Sequence, residues 1–234
     1  MPPKFFEIKE LSQRAQGVIF DVKHPPLTGV ASKDAKDDSG VLGVHRGNGA
    51  GVIGSSDGGI GLAGTSDVPG GVGVYGRGAY LAGLFVGDVE VTGDIRLVNA
   101  DCAEDFDIAA AESIEPGTVM VLGEEGALLQ SQQAYDKRVA GVISGAGGYK
   151  PGIVLDKQRS QGRRVPIALL GKVYCKADAQ YGSIEIGDLL TTSPTTGHAM
   201  KAADPVRAFG AVIGKALRTF KEGQGLIPIL IALQ

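Results

Sequence analysis

The sequence predicts a mainly β protein in three parts: a short α/β N-terminal element with its linker over residues 1–39, a glycine-rich β shaft over 40–99, and a compact β-barrel or sandwich-like domain over 100–234. Two observations predict this order. The phrase Gly-apolar-x-Gly recurs at 40–43, 51–54, 61–64 and 73–76. After residue 100, short apolar segments alternate with Gly, Pro and Asp turns, and no long helical periodicity interrupts them.

The N-terminal part combines a small apolar element with a polar linker. Phe5, Ile8 and Leu11 fall at helical spacing, residues 18–22 resemble a short strand, and residues 33–40 are almost entirely polar. This pattern favours an attachment element that docks on a larger assembly. A helix simply packed on the body of the protein is an equally good interpretation.

The glycine-rich part is a short-period repeat. Its phrases begin at nearly regular intervals, and residues 40–93 contain 18 glycines. Each unit offers two or three apolar side chains, whereas ordering one residue costs about 1–2 kcal/mol, so a unit cannot be stable alone. We therefore predict a homotrimer in which three copies of the chain wind around a common axis. The residues predicted to face the inter-chain core are Val41, Val52, Leu62 and Val74.

The repeat is distinct from two other glycine-rich designs. Glycine does not recur at every third position, which excludes collagen, and apolar residues recur in register, which a flexible linker lacks. At the end of the repeat, Val89, Val91, Ile95 and Leu97 alternate with polar residues. The alternation predicts a half-buried strand pair about Gly93.

The C-terminal part has the pattern of an ordinary globular β domain. Seven strands are predicted there, at 118–122, 127–130, 138–144, 164–175, 188–192, 208–216 and 225–233. Short strands at this spacing are typical of a barrel or sandwich with its own core.

Composition excludes several classes of function. The net charge is −3 and the longest basic tract is Arg163 with Arg164, so we expect no nucleic-acid partner. No apolar run approaches the ~20 residues of a membrane span, so we expect no membrane insertion. Residues 1–7 lack a signal-peptide core, which predicts synthesis in the cytoplasm. Cys102 and Cys175 are too few and too far apart to indicate a disulfide framework.

Two weak motifs lie inside the repeat. Residues 71–76 match G-x-G-x-x-G, but more glycines follow where a dinucleotide site needs a helix, so the match is attributed to the repeat. In a trimer, three copies of His45 could form a metal-binding ring, although a surface turn beside Arg46 is the favoured interpretation. The sequence predicts no cofactor and no metal site.

The one dense acidic cluster covers residues 99–107, where the repeat meets the C-terminal domain. Asp101 and Glu104 are the candidate catalytic residues, because paired carboxylates can share acid and base roles in cleaving a nearby peptide bond. Spacing alone favours the alternative that both residues cap or solvate a turn.

Five motifs after this cluster carry a resemblance to a known family. A strand ending in Gly-Asp-Ile precedes Asp-x-Ala-Glu-x-Phe, and the motifs follow at 140–144 (Ala-Gly-Val-Ile-Ser), 167–173 (Ile-Ala-Leu-Leu-Gly-Lys-Val), 187–193 (Gly-Asp-Leu-Leu-Thr-Thr-Ser), 197–202 (Gly-His-Ala-Met-Lys-Ala) and 210–217 (Gly-Ala-Val-Ile-Gly-Lys-Ala-Leu). Together they resemble the C-terminal intramolecular-chaperone, auto-processing domain of phage neck-appendage and tail-spike proteins. The resemblance covers about residues 90–234.

The resemblance implies a C-terminal domain that trimerises and assists folding of the shaft before it. Some members of that family cut themselves just before the Asp of Asp-Tyr-Ala-Glu. Carried over, the bond lies between Ala100 and Asp101, with Asp101 and Glu104 as participants. Here Cys102 replaces the usual Tyr, and Ala100 stands where some members have Ser.

The sequence therefore predicts a homotrimeric structural fibre or spike protein of a phage tail or a phage-derived injection particle. Its C-terminal domain promotes trimerisation, and residues 1–39 join it to the larger assembly. Its final location is then the virion or the particle tail. The alternative is a self-processing intramolecular chaperone that cuts before Asp101, and a second alternative is a tip that binds a cell-surface receptor or glycan.

Overall fold

The structure, a computed structural model, describes residues 44–109, 113–158 and 163–233. The elements predicted within residues 1–39, and Val41, lie outside the described residues. The chain divides into two compact units at the boundary between Asp88 and Val89.

The fold is mainly β, as the sequence predicts. The described residues form ten strands: β1 (Asp101–Asp107), β2 (Val119–Leu122), β3 (Leu128–Gln130), β4 (Val139–Ile143), β5 (Pro151–Leu155), β6 (Arg164–Asp178), β7 (Leu189–Thr192), β8 (Ala199–Lys201), β9 (Val212–Ala216) and β10 (Gln224–Ile231). Between these strands lie a four-residue helix, α1 (Pro205–Ala208), and the 3₁₀ turns Glu124–Gly126 and Ala179–Tyr181.

Five of these strands close into a barrel. Strand β6 pairs with β10, and the order then runs through β9, β7 and β8 back to β6. Side chains fill the interior, among them Val173, Cys175, Ile213, Ile227 and Ile229, all with no exposed surface. The predicted barrel in the C-terminal part is thereby confirmed.

The long strand β6 also carries a second group of strands. Its first half pairs with β1 and β4, β4 continues to β2 and β3, and β5 lies parallel to β1. A separate apolar cluster packs beneath this group and includes Met120, Leu128, Ile143 and Ile167. One 15-residue strand therefore links the two cores.

All seven predicted strands are present, and three further strands were not predicted. The acidic cluster was expected to form a turn, and that expectation is wrong, because residues 101–107 form strand β1. β1 lies between β5 and β6, and burial of Asp101 and Ala103 on one face outweighs the acidic composition. The other two unpredicted strands are β5 and β8.

In the first unit, the described residues 44–88 contain no strand. The only backbone–backbone hydrogen bond formed within this segment runs from the Gly71 N–H to the Val68 carbonyl oxygen, at 2.9 Å. All its large apolar side chains are exposed. A single chain therefore does not form the very short strands predicted for the repeat.

The second unit begins with residues 89–99, which also lack strands. Val89, Val91, Ile95 and Leu97 are 61%, 48%, 68% and 47% exposed. The half-buried strand pair predicted about Gly93 is therefore wrong for one chain. In the described chain no strand pairs with the alternating residues.

Glycines of neighbouring phrases lie in close contact with each other. The last glycine of one phrase lies against the first glycine of the next, at Gly54 with Gly61 and at Gly64 with Gly73. A Cβ atom added at Gly73 would lie 2.6 Å from the Gly64 carbonyl oxygen. Residues 55–60 and 65–72 form the loops between these contacts. The phrase at 61–64 therefore has a close backbone-to-backbone approach at both of its ends.

This contact predicts a large difference between two glycine substitutions. Gly73→Ala should destabilise the protein by about 1–3 kcal/mol per chain, because the backbone at Gly64 must move away. Gly58→Ala is the matched control, since an added Cβ there has no atom within 4 Å. Thermal melting of both variants checks the expectation. Equal melting temperatures would contradict the close approach.

Candidate functional site

The first candidate site is the exposed apolar surface of the repeat. Val52, Leu62 and Val74, which occupy equivalent places in three phrases, are 66%, 75% and 70% exposed. Tyr75 and Phe85 are exposed to a similar degree, at 77% and 75%. Apolar surface of this extent is typical of an interaction surface, because soluble monomers seldom leave so much of it in water.

The second candidate site is Asp101, at the start of β1. It is 4% exposed and lies opposite Gly171 of β6 and Pro151 of β5. Its Oδ1 accepts a hydrogen bond from the Ser144 hydroxyl at 3.0 Å. Its Oδ2 is buried with no hydrogen-bond partner among the described residues. Asp101 thus has a buried carboxyl group in which Oδ1 is hydrogen-bonded and Oδ2 has no partner among the described residues.

Burial changes the proton affinity of this group. Desolvation raises the pKa of the Asp101 carboxyl above its ordinary value, although the Ser144 hydroxyl and the backbone N–H of Asp101 itself act in the opposite direction. A carboxyl group with a raised pKa holds its proton at a higher pH than usual. Such groups are suited to donating a proton to a leaving group.

Glu104, the other predicted participant, has a different setting. It lies three residues further along β1, beside Leu155 of β5 and Ile167 of β6, and is only partly buried. None of the hydrogen bonds formed by the described residues joins it to Asp101. The structure therefore gives Asp101 the partner Ser144 and does not link the two predicted carboxylates.

The peptide bond between Ala100 and Asp101 is held by backbone contacts on both sides. The Ala100 N–H donates to the Lys150 carbonyl oxygen at 2.9 Å, and the Lys172 N–H donates to the Ala100 carbonyl oxygen at 3.3 Å. A cavity of about 350 Å³ adjoins the bond, with Asn99, Tyr149 and both lysines among its lining residues. A backbone donor on the carbonyl oxygen is the arrangement that stabilises negative charge during acyl transfer.

Gly171 makes this arrangement possible. Its φ is +104°, and an added Cβ would lie 2.6 Å from the Ala100 carbonyl oxygen. Any other residue would strain the backbone and push β6 away from the start of β1. Gly171 therefore fixes the Lys172 N–H close to the Ala100 carbonyl.

Sequence reasoning did not identify Ser144 as part of this site. It ends the motif at 140–144, and its contact with Asp101 spans 43 positions of the chain. No local pattern marks one serine among many. The motif itself was the available signal, because its last residue follows directly after the buried strand β4.

The remaining candidate residue from the sequence is His45. His45 Nδ1 accepts hydrogen bonds from the Gly47 and Gly49 N–H groups, at 3.0 and 3.2 Å, which places the ring in a local surface turn. Among the residues that the structure describes, no three His, Cys, Asp or Glu side chains form a metal-binding group. In the same part of the chain, no helix is long and apolar enough to cross a membrane.

Comparisons by sequence find no relative. No family model matches the chain, and no curated protein matches it.

Comparison of folds finds solved structures from bacteriophage phi29. The pre-mature gene product 12 of bacteriophage phi29 is 15% identical with a TM-score of 0.47, and the match covers 62% of this chain and 23% of the other. A C-terminal fragment of gene product 12 is 17% identical with a TM-score of 0.39, covering 56% of this chain and 100% of the fragment. The N base of the head fiber gp8.5 is 20% identical with a TM-score of 0.26, covering 57% and 90%. This chain thus spans about a quarter of the first of these structures. In each comparison the similarity covers only part of this chain.

Proposed function

We propose that the protein is a homotrimeric structural fibre or spike protein of a phage tail or a phage-derived injection particle. The observation that carries the trimer is the state of residues 44–99 in a single chain. All their large apolar side chains are exposed, and one backbone hydrogen bond is formed among them. Backbone and apolar groups of this number need partners, and copies of the same chain supply them in register.

The C-terminal domain supports this proposal through its own stability. Its described residues form a closed five-stranded barrel and a second apolar cluster, so we expect it to fold before the shaft is assembled. A folded domain attached to each shaft segment raises the local concentration of the other segments once the domains associate. This is the physical basis for a domain that promotes trimerisation.

Mass in solution tests the trimer. Sedimentation equilibrium should give three times the chain mass of 24.0 kDa. A chain truncated to residues 100–234 shows whether the shaft is needed for the full association. A folded monomer of the full chain would overturn the proposal.

The resemblance of residues 90–234 to domains of phage appendages and tail spikes supports the particle assignment. Immunogold labelling of particles from producing cells, with an antibody against residues 100–234, should mark the tail. A chain without residues 1–39 should still trimerise but be absent from the particles, if that element attaches the fibre. Labelling confined to soluble protein would count against the assignment.

A second candidate function is self-cleavage between Ala100 and Asp101. The specific observation that favours it is a buried Asp101 carboxyl, with raised pKa, on the residue whose nitrogen would leave. Hydrolysis adds water across the bond: the water oxygen joins the Ala100 carbonyl carbon as the bond to the Asp101 nitrogen breaks, that nitrogen leaves with a proton from the Asp101 carboxyl, and the proton that the water loses returns to the carboxylate. The Lys172 N–H would stabilise the charge on the carbonyl oxygen, and the Asp101 carboxyl would supply the proton.

Intact mass and N-terminal sequencing of aged protein test this function. A fragment of residues 101–234 should accumulate faster at mildly acidic than at neutral pH, because the proton donor must be protonated. Asp101→Asn should abolish the fragment, whereas Asp105→Asn, on the same strand, should not. Glu104→Gln shows whether the second carboxylate participates. A wild-type chain that stays full length at both pH values contradicts self-cleavage and leaves the structural function intact.

A further inference from the structure

The surface in question is the outward face of the three adjacent strands β5, β1 and β6. Register places Cys102 of β1 beside Ile153 of β5 on one side and Leu170 of β6 on the other. Residues directly opposite in paired strands project from the same face of a sheet. Ile153 is 43% exposed, Leu170 is 66% exposed, and Cys102 is partly exposed. We name Ile153, Cys102 and Leu170 the apolar row.

The opposite face of β1 is already occupied. Asp101 and Ala103, which flank Cys102, are 4% and 0% exposed. Ala103 lies beside Ala168, which is also fully buried in the core of its own chain. The apolar row is therefore the free face of a strand whose other face is part of the fold.

The position of β1 along the chain indicates what covers the apolar row. β1 begins two residues after segment 89–99, in the same compact unit. An extended chain advances at most about 3.6 Å per residue, so Cys102 lies within about 11 Å of Asn99. In a trimer whose segments meet up to Asn99, the three β1 strands start beside the common axis.

The last residues of segment 89–99 include exposed apolar side chains as well. Leu97 is 47% exposed and Val98 is 99% exposed. Exposed apolar side chains thus occur on both sides of Asn99, Ala100 and Asp101, at the end of segment 89–99 and in the apolar row. Because β1 is the central strand of the three and its other face is buried, its outward face is the one that can be turned to the axis. Glu104, two residues after Cys102, lies on that face as well, further along the strand from segment 89–99.

We propose that the apolar row faces the threefold axis and packs against the apolar rows of the other two copies, so that the three Cys102 side chains come close together. This interface rests on the proposed trimer and adds the contact surface of the C-terminal domain. Its occupant is a second and a third copy of this chain. Burial of Ile153 and Leu170 there would join the domains at the end of the shaft.

A cross-linking experiment on the full chain tests the interface. A short bismaleimide should join Cys102 of two copies and give a covalent dimer on a denaturing gel, with at most two of the three chains joined because each has one reactive thiol. Cys175 does not compete, because it is fully buried and burial raises its pKa to about 12. Cys102→Ser should give no covalent dimer.

A second variant pair gives an independent measurement. Leu170→Glu should lower the melting temperature of the trimer and weaken its association by at least tenfold, because three carboxylates would crowd the axis. Val206→Glu is the matched control, since Val206 is 83% exposed on helix α1. Both variants should keep the β-rich circular dichroism spectrum of the wild type.

The outcomes separate the interface from the trimer itself. One outcome is a protein that has the mass of a trimer, gives no cross-link, and shows the same melting and association for Leu170→Glu as for Val206→Glu. That combination of results overturns the interface and retains the trimer. A monomer in sedimentation overturns both. A cross-linked dimer within a particle of trimer mass, absent in Cys102→Ser, supports both.

Discussion

Replacing Val52 with Asp should abolish assembly of the trimer. In one chain Val52 is 66% exposed, so the substitution costs an isolated chain almost nothing. In the proposed shaft the same position faces the inter-chain core, and three carboxylates would be buried together without partners. Each would cost several kcal/mol, far more than two or three apolar contacts per unit can offset. Sedimentation at low micromolar concentration should show monomers.

Two controls separate this effect from a general effect of added charge. Ser55→Asp introduces the same group in the loop between two phrases, where we expect assembly to be unchanged. Val206→Asp makes the identical substitution on helix α1 of the C-terminal domain, outside the repeat. If Val52→Asp assembles and melts as the wild type does, Val52 faces water in the trimer and the phase of the repeat is misassigned.

The C-terminal fold could be predicted because short apolar segments there lie between strong turn signals. Strand β10, for example, buries Ile227, Ile229 and Ile231 and turns the residues between them outward. β8 was missed because it has three residues and pairs with β6 at one position only. β5 begins at a proline and pairs only with β1, so its existence depends on a strand that composition did not predict.

The repeat could be predicted only in part from the sequence. Its period and its need for other chains can be inferred from the spacing and the scarcity of apolar residues. The reason for the glycines at Gly64 and Gly73 cannot be inferred in this way, because it lies in the contact between these two residues, which belong to different phrases. A steric contact of that kind has no signature in composition beyond the glycines themselves.

The candidate site, too, could be predicted only in part from the sequence. Asp101 could be identified from the acidic cluster and the resemblance, but its burial and the contact with Ser144 depend on three strands from distant parts of the chain. The role of Gly171 beside the Ala100 carbonyl likewise follows from strand pairing, which single-sequence patterns do not specify.

A polar group that no sequence pattern indicated holds one end of the barrel together. Asp178, the last residue of β6, has no exposed surface. Its Oδ1 accepts from the Gln180 N–H at 2.9 Å, and its Oδ2 accepts from Gln180 Nε2, Thr195 Oγ1 and Gln224 Nε2 at 2.6, 2.6 and 3.0 Å. The carboxylate thus ties the 3₁₀ turn after β6 to the loop before β8 and to the start of β10.

Asp178→Asn should therefore destabilise the C-terminal domain by about 3 kcal/mol. The amide keeps one acceptor oxygen but places an NH₂ group among donors. Only Gln180 Nε2 has another acceptor among the described residues, Thr195 Oγ1 at 3.2 Å. Glu222→Gln is the matched control, because it removes the same charge at an exposed position just before β10. Urea unfolding of the domain at neutral pH measures the difference. A shift no larger than that of the control would mean that the four hydrogen bonds add little to stability.

The same contacts give the difference a defined pH dependence. Burial alone would raise the pKa of Asp178, but the hydrogen bonds from Thr195, Gln180 and Gln224 outweigh it and hold the pKa below its ordinary value. The unfolded carboxyl therefore takes up a proton more readily than the folded one. Its contribution is fully present above the ordinary pKa of about 3.9 and is lost as the pH falls toward the folded value. The wild type should thus exceed Asp178→Asn by a constant margin from neutral pH down to about pH 5, and the margin should narrow below about pH 4. A margin that stays constant through this window would show that the folded pKa of Asp178 is not depressed.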